Sequence, residues 1–166
     1  MAAYLLPPFG QIDLTNLEAY YDATINYDGK GIELDLNFEN KTSDSKQMDA
    51  VKGFIDRIAE FDKKNRKYID KDYTDDEGDT VKLYVQHHLE DIGKVELSKL
   101  VDFDNNAITS EQQLVKALQL VRVGLYPDSE DQFAIFDYSI GRDLTDYLVV
   151  INTDKNGKLD YMTMES

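Results

Sequence analysis

Apolar and polar residues alternate strictly in residues 31–39, GIELDLNFE, and this alternation predicts a β-strand buried on one face. Another apolar-rich run precedes it, and the DGKG turn between the two runs offers glycines for the positive φ angles of a hairpin. A symmetric closure of this turn gives pairs that are all apolar: Tyr27 with Ile32, Ile25 with Leu34, and Ala23 with Leu36. The opposite face then carries polar and acidic side chains, which are Asp22, Asn26, Glu33, Asp35 and Glu39. We therefore predict a hairpin with one face in the core and one face that is solvent-exposed and negatively charged.

The apolar period changes to three and four residues in the middle of the chain, as expected of amphipathic helices. A first helix is predicted from a cap at Ser43 or Asp44, with its buried stripe in residues 48–61. A capping-box spacing predicts that a second helix begins at Thr74, or at Asp79 because Gly78 weakens that start. This second helix is predicted to end at Gly93, and a short third helix to run from Thr109 or Ser110 to about Ala117.

The last third of the chain returns to the strand pattern. Four strands are predicted within residues 118–126, 132–140, 146–152 and 158–165. Their short connections require antiparallel neighbours, so the four strands form a meander. The run YLVVI is apolar on both faces, which places its strand inside the sheet. We predict one α+β domain over residues 1–166: the N-terminal hairpin and the four-strand meander in an antiparallel sheet, with about three helices packed on one face.

The net charge of −15 is the strongest feature of the composition, and the acidic excess is spread along the 166 residues. Phosphates and anionic membranes would be repelled, so we expect neither nucleic-acid nor membrane binding. The chain has no cysteine, and its first residues lack the basic segment of a secretory signal, so we predict a cytoplasmic protein. The charge has two interpretations, namely solubility or an acidic face for a basic partner.

At residues 120–141, LVRVGLYPDSEDQFAIFDYSIG, followed by LTDYLVV and the ending MES, the chain resembles the bacterial domain-of-unknown-function 2004 family. The similarity extends back through ELDLNFEN at residues 33–40 and so covers most of the chain. The family has no assigned activity, so the resemblance implies no catalytic or binding residues. Small acidic domains of this kind also resemble some immunity proteins of bacterial toxin systems.

Two oxygen-rich stretches have part of the spacing of a calcium loop. In residues 152–163, Asp154, Asn156, Gly157 and Asp160 fit, but Asn152 opens the loop and Thr163 stands where the ion requires a glutamate. A β-turn with Gly157 in the left-handed conformation explains the same residues, and it pairs Ile151 with Tyr161, Val149 with Thr163, and Val150 with Met162. Residues 102–112 have a similar partial match, and a polar loop before the Thr109 cap explains them. We predict no metal and no cofactor.

Two further groups of residues could take part in chemistry. His87 and His88 are adjacent on a helix and point about 100° apart, so they do not suit one metal ion; His88 is predicted to face inward. Arg122 and Asp137 interrupt apolar runs and lie opposite each other if Tyr126 faces Phe133. An ion pair that fixes the strand register is one interpretation. The other is a polar pocket lined by Arg122, Asp137, Tyr126 and Tyr138.

The functional prediction is a non-catalytic interaction domain that binds a basic protein through Glu33, Asp35 and Glu39, with a toxin inhibitor of the immunity type as one form. The alternative is a small ligand-binding protein or enzyme with a site near Arg122, Asp137 and His88. A third hypothesis is a calcium-dependent module. The sequence does not indicate which oligomeric state the protein adopts.

Overall fold

The computed structural model describes residues 2–166, and within this range it contains two sheets and five helices. The strands are β1 (Ala3–Leu6), β2 (Gly10–Asp13), β3 (Tyr20–Tyr27), β4 (Lys30–Asn37), β5 (Gln119–Leu125), β6 (Ala134–Ser139), β7 (Leu148–Thr153) and β8 (Leu159–Glu165). The helices are α1 (Ser45–Asp56), α2 (Ile58–Thr74), α3 (Val81–Asp91), α4 (Lys94–Leu97) and α5 (Ser110–Ala117). Strands β3 to β8 form one sheet in chain order, and β1 pairs with β2 in a separate hairpin. The α+β class and the joining of six strands in one sheet are confirmed.

The hairpin β3–β4 is present, but its predicted register is wrong by two residues. Tyr27 pairs with Lys30, Ile25 with Ile32, and Ala23 with Leu34. The turn has only two central residues, Asp28 and Gly29, with φ angles of 52° and 79°, as a type I′ turn requires. Because the shift is an even number of residues, each side chain stays on its predicted face.

The C-terminal meander is confirmed, since each of its three strand pairs is antiparallel. β7 lies inside the sheet, between β6 and β8, as its two apolar faces predict. The predicted β7–β8 register is wrong by one residue, because Val150 lies opposite Thr163 and Ile151 opposite Met162. The shift arises at Asp160, an extra residue between the Thr153–Leu159 pair and the next pair along the ladder.

The sheet is mixed, because β4 pairs with β5 in parallel. The prediction of an antiparallel sheet is therefore wrong at this one junction. All five helices lie between these two strands in the chain, and they form the long crossover that parallel neighbours need. The crossover places residues from distant parts of the sequence side by side, with Glu33 opposite Arg122 and Asp35 opposite Gly124.

The helices number five rather than about three. The first predicted helix is two helices, α1 and α2, separated at Arg57, where φ is −112° and ψ is 19°. Thr74 ends α2 instead of capping the next helix, and α3 begins at Val81. The Asp44 cap of α1 is confirmed. So is α5, where a capping box joins Thr109 and Gln112.

The hairpin β1–β2 was not predicted from the sequence. Its side chains Leu6 and Ile12 are fully buried in the core. The Tyr4 hydroxyl donates a 2.5 Å hydrogen bond to the Asp49 carboxylate of α1, which ties the hairpin to that helix. The short apolar run between residues 4 and 6 is followed at once by Pro7 and Pro8, so no period was visible there.

The two faces of the six-stranded sheet differ in what covers them. The inner face carries the apolar members of each strand and packs against the helices, for example through Phe54 of α1 and Phe136 of β6, whose rings are 6.0 Å apart. Phe54 also stacks on Phe61 of α2 at 4.1 Å. The opposite surface, called the outer face below, carries the alternate residues of the same strands. Its charged residues are Asp22, Glu33, Asp35, Arg122, Asp137 and Glu165.

Candidate functional site

Arg122 lies at the centre of a polar cluster on the outer face, where it links three strands. Its Nε and Nη2 atoms donate to the two carboxylate oxygens of Asp35 at 2.6 and 2.9 Å, so this contact is bidentate. Nη1 donates to Asp137 at 3.3 Å, and Nη2 also reaches the Tyr126 hydroxyl oxygen at 3.3 Å. Asn37 donates to Asp35 at 2.7 Å. We call Asp35, Asn37, Arg122, Tyr126 and Asp137 the Arg122 cluster.

The Arg122 cluster is largely withdrawn from water. Asp35 is 4% exposed and Asp137 is 5% exposed, while the Arg122 side chain is 23% exposed. Burial raises the pKa of Asp137, and the single contact with Arg122 only partly opposes this effect. Burial alone would lower the pKa of Arg122, but the Asp35 hydrogen bonds and charge outweigh it, and the pKa is raised. Four of the five guanidinium N–H groups are engaged within the cluster.

Gly124 makes room for the guanidinium of Arg122. A Cβ atom at position 124 would lie 2.5 Å from Arg122 Nη2 and 3.0 Å from Asp35 Oδ1. The absence of a side chain therefore lets the Arg122 guanidinium lie across the β5 backbone and reach β4. The sequence LVRVGL contains both residues of this arrangement, but only the parallel β4–β5 pairing gives the glycine its role.

Only some of the residues of the predicted polar pocket lie together in the structure. Arg122 and Asp137 pair across β5 and β6, so the predicted register and ion pair are confirmed. Tyr138 is not part of this arrangement, because neighbouring residues of a strand point to opposite faces. It is buried on the inner face, where its hydroxyl donates to Asp62 of α2 at 2.6 Å. Burial raises the pKa of the Tyr138 hydroxyl, and the Asp62 charge adds to the effect.

The three predicted partner-binding carboxylates lie in different environments. Glu33 is exposed and forms an ion pair with Arg142 at 3.2 Å. Glu39 is exposed and follows the end of β4. Asp35 is buried beneath its bidentate contact with Arg122, so its predicted position on a wet surface is wrong. Its burial follows from the position of β4 between two strands, whereas the hairpin alone would have left it exposed.

A groove of about 440 Å³ opens beside the Arg122 cluster, where β4 and β5 end. Its lining includes Phe38, Tyr126 and Ile135. The charged residues of the lining are two carboxylates, Glu39 and Asp128. The remaining lining residues are Ala19, Asn37, Ser129 and Gln132. This groove could not be predicted from local sequence patterns, because its walls come from three separate segments.

Asp128 is held at the rim of this groove by three donors. The backbone N–H groups of Glu39 and Asn40 donate to one oxygen at 2.8 and 3.0 Å, and Gln47 Nε2 donates to the other at 3.2 Å. Burial alone would raise the pKa of Asp128, but these hydrogen bonds outweigh it and lower the pKa. The groove therefore keeps a fixed negative charge at neutral pH.

His88 is buried, as predicted, and both its ring nitrogens have partners. Nδ1 lies 2.6 Å from the Tyr84 carbonyl oxygen and therefore donates to it. Nε2 lies 2.8 Å from the Thr145 hydroxyl, which donates to the ring. Burial lowers the pKa of His88, so the neutral ring fits this network. His88 thus joins α3 to the β6–β7 connection, whereas the Arg122 cluster is built on the outer face.

The calcium-like stretch at residues 152–163 forms a hairpin, as predicted. Gly157 has a φ of 80°, and its N–H donates to the Asp154 carbonyl at 3.1 Å. The Asp154 carboxylate accepts from the N–H groups of Asn156 and Lys158 at 2.8 and 2.9 Å. Both N–H groups donate to the same oxygen, Oδ1, which therefore stabilises the turn. In residues 102–106, Asp102 caps the N–H of Asp104 at 3.1 Å, in the polar loop before α5.

Within residues 2–166, no three His, Asp or Glu side chains gather in an arrangement able to hold a metal ion. No helix in the same range has both the length and the apolar character needed to cross a membrane.

Comparisons with protein-family models, curated proteins and solved structures found no match to this chain. The resemblance to the domain-of-unknown-function 2004 family therefore stays a prediction.

Proposed function

We propose that this protein is a non-catalytic acidic interaction domain that binds a basic protein through the outer face of its sheet. An inhibitor of a toxin, of the immunity type, is one concrete form. The observation that supports the proposal most is the distribution of charge on and beside this face. Arg122 of the face and Arg142 of the β6–β7 connection are each paired with a carboxylate of the face. Among residues 2–166, no salt bridge involves Asp22, Glu39 or Asp128, so a negative excess remains.

This excess would act mainly on the rate and choice of encounter. Opposite charge on a partner increases the association rate and disfavours acidic competitors. The effect weakens with salt, because the Debye length falls from about 10 Å at 0.1 M ionic strength to about 3 Å at 1 M. A partner captured through this face should therefore bind in a strongly salt-dependent manner.

The test is a pull-down from the native cell extract at low and high salt, with the captured proteins identified. The outer-face variant carries Asp22→Asn, Glu33→Gln and Glu39→Gln, and leaves Asp35 in place. A control variant neutralises Asp56, Asp70 and Glu90, exposed residues of the helical layer, and so changes the net charge equally. Circular dichroism and melting temperature establish that both variants are folded.

We expect wild type and the control variant to capture the same basic protein at low salt, and the outer-face variant to lose it. The proposal is wrong if the two variants lose binding equally, because net charge alone would then explain it. It is also wrong if the association rate of the purified pair does not respond to salt.

A second candidate function, binding of a small ligand, is favoured by the 440 Å³ groove beside the Arg122 cluster. Its volume lies within the range of about 300–1,000 Å³ typical of ligand sites. This site would use Tyr126 and Asn37 rather than His88. A thermal-shift screen of small cationic and neutral compounds tests it, with the Ala19→Trp variant, which fills the groove, as the control.

A further inference from the structure

We infer that the groove receives an arginine side chain of the basic partner. This inference rests on the proposed function, and it adds the residue type by which the partner is anchored. Three properties of the groove support it: the chemistry of its walls, the rigidity of those walls and the placement of its two carboxylates.

The walls suit a flat cation on an apolar stem. Tyr126 and Ile135, whose side chains lie on the outer face, line the groove together with Phe38. Guanidinium groups stack on aromatic rings and are weakly hydrated, whereas an ammonium group keeps its water more strongly. The methylene groups of arginine would cover Ile135. Because both charged lining residues are carboxylates, an anionic ligand would be repelled.

The walls are also held in position before any partner arrives. The Phe38 ring is buried in the core, edge-on against Tyr21 with ring centres 6.1 Å apart, and so anchors the segment of residues 37–39 that lines the groove. The Tyr126 backbone N–H donates to Phe133 at 2.8 Å, and the Tyr126 hydroxyl oxygen accepts from Arg122 at 3.3 Å. Such preorganisation lowers the ordering cost of binding.

The two carboxylates complete the site. Hydrogen bonds from Glu39, Asn40 and Gln47 hold the Asp128 carboxylate at the rim of the groove, and its negative charge attracts a cation. Glu39 is exposed at the same groove, and its carboxylate is in no salt bridge among residues 2–166. A guanidinium has several N–H donors in a fixed plane, and both carboxylates line the groove that it would enter.

The test is an NMR titration of the ¹⁵N-labelled protein with the peptide acetyl-Gly-Arg-Gly-amide. Its citrulline analogue, which has nearly the same shape without the charge, and its lysine analogue are the comparison probes. We expect shifts concentrated at residues 37–39 and 126–132, with affinity in the order arginine, lysine, citrulline. Ala19→Trp should abolish these shifts, since Ala19 is exposed and lines the groove.

Charge variants distinguish specific binding in the groove from nonspecific attraction to the acidic surface. Glu39→Gln should weaken arginine binding about three- to tenfold, as loss of one charged hydrogen-bond acceptor does. Glu18→Gln removes a nearby exposed carboxylate that does not line the groove, and it should leave binding unchanged. If Ala19→Trp fails to fold, Gln132→Trp blocks the same groove from another segment.

The inference is overturned if arginine and citrulline shift the same amides equally, or if the shifts spread over the whole acidic surface. The captured partner distinguishes it from the proposed function. A basic partner that is lost with the outer-face variant but binds Ala19→Trp as tightly as wild type overturns the arginine anchor and keeps the function. Specific arginine binding in the groove without any captured basic protein overturns the proposed function and keeps the recognition of arginine.

Discussion

Asp35, rather than Asp137, should be the residue that stabilises Arg122. Asp35 makes two short contacts with the guanidinium, at 2.6 and 2.9 Å, whereas Asp137 makes one contact at 3.3 Å. Removing one partner of a buried pair costs about 3–5 kcal/mol, because the other charge is left unpaired. Arg122 would retain Asp137 and is 23% exposed, so we expect Asp35→Asn to lower the free energy of unfolding by about 2–3 kcal/mol.

Asp137→Asn should cost much less, about 0–1 kcal/mol, because the lost contact is weak and the cost of burying a charge is removed with it. Urea unfolding measures both changes. With a urea m-value of about 2 kcal/mol/M, Asp35→Asn should lower the midpoint by about 1 M. Double-mutant cycles with Arg122→Met should give a coupling of about 2 kcal/mol to Asp35 and below about 0.5 kcal/mol to Asp137. Equal couplings, or a larger one to Asp137, would refute this account of the cluster.

The pH dependence of stability provides a separate check on Asp137. Burial raises the pKa of this carboxyl above its usual 3.8, so the folded state holds the proton more tightly than the unfolded state. The resulting stabilisation is full below pH 3.8 and is lost as pH rises through the folded pKa. The difference in unfolding free energy between wild type and Asp137→Asn should follow this curve. A difference that is constant with pH, or that grows as pH rises, would contradict it.

Three further predictions concern residues that the fold uses elsewhere. Gly124→Ala should destabilise by about 1–3 kcal/mol because its Cβ would displace Arg122, whereas Gly53→Ala, in open space on α1, should stabilise by about 0.5–1 kcal/mol. Urea unfolding measures the change in the free energy of unfolding for both variants, and changes of the same sign would contradict the prediction. Wild type should lose stability as pH falls below about 6.5, because burial lowers the pKa of His88 and only the unfolded state then gains the proton. The stability of His88→Gln should not have this contribution to the pH dependence. An unchanged pH dependence in the variant would contradict the prediction. Thr109→Ala should cost about 1 kcal/mol through loss of the α5 cap, measured by thermal unfolding.

Local pairing could be predicted from the sequence, and long-range pairing could not. The Arg122–Asp137 pair followed from one short connection between β5 and β6, so alternation and turn length were sufficient. The Asp35–Arg122 pair joins residues 87 positions apart. It depends on the order and direction in which β4 meets β5, and no local period encodes either. The main contact of the cluster was therefore missed, and its weaker contact was found.

Some errors could have been avoided from the sequence itself. Asp-Gly is a strong signal for a two-residue hairpin turn, and that signal alone would have given the observed β3–β4 register. Tyr138 follows Asp137 directly, so strand alternation already excluded the two from one pocket. The Asp160 bulge could not have been predicted in this way, because an extra residue in a strand has no distinct sequence pattern.

The acidic sheet face therefore contains carboxylates of two kinds, and a test of function must treat them separately. Asp35 is buried and forms an ion pair with Arg122. Its neutralisation would therefore weaken binding only by destabilising the sheet. Glu33 is exposed and shares an exposed ion pair with Arg142, a kind of contact that contributes at most about 1 kcal/mol to stability. Replacing Glu33 and Glu39 can therefore change the surface potential while the fold is kept. Loss of a partner with these two changes, at an unchanged melting temperature, would identify the outer face as a binding surface.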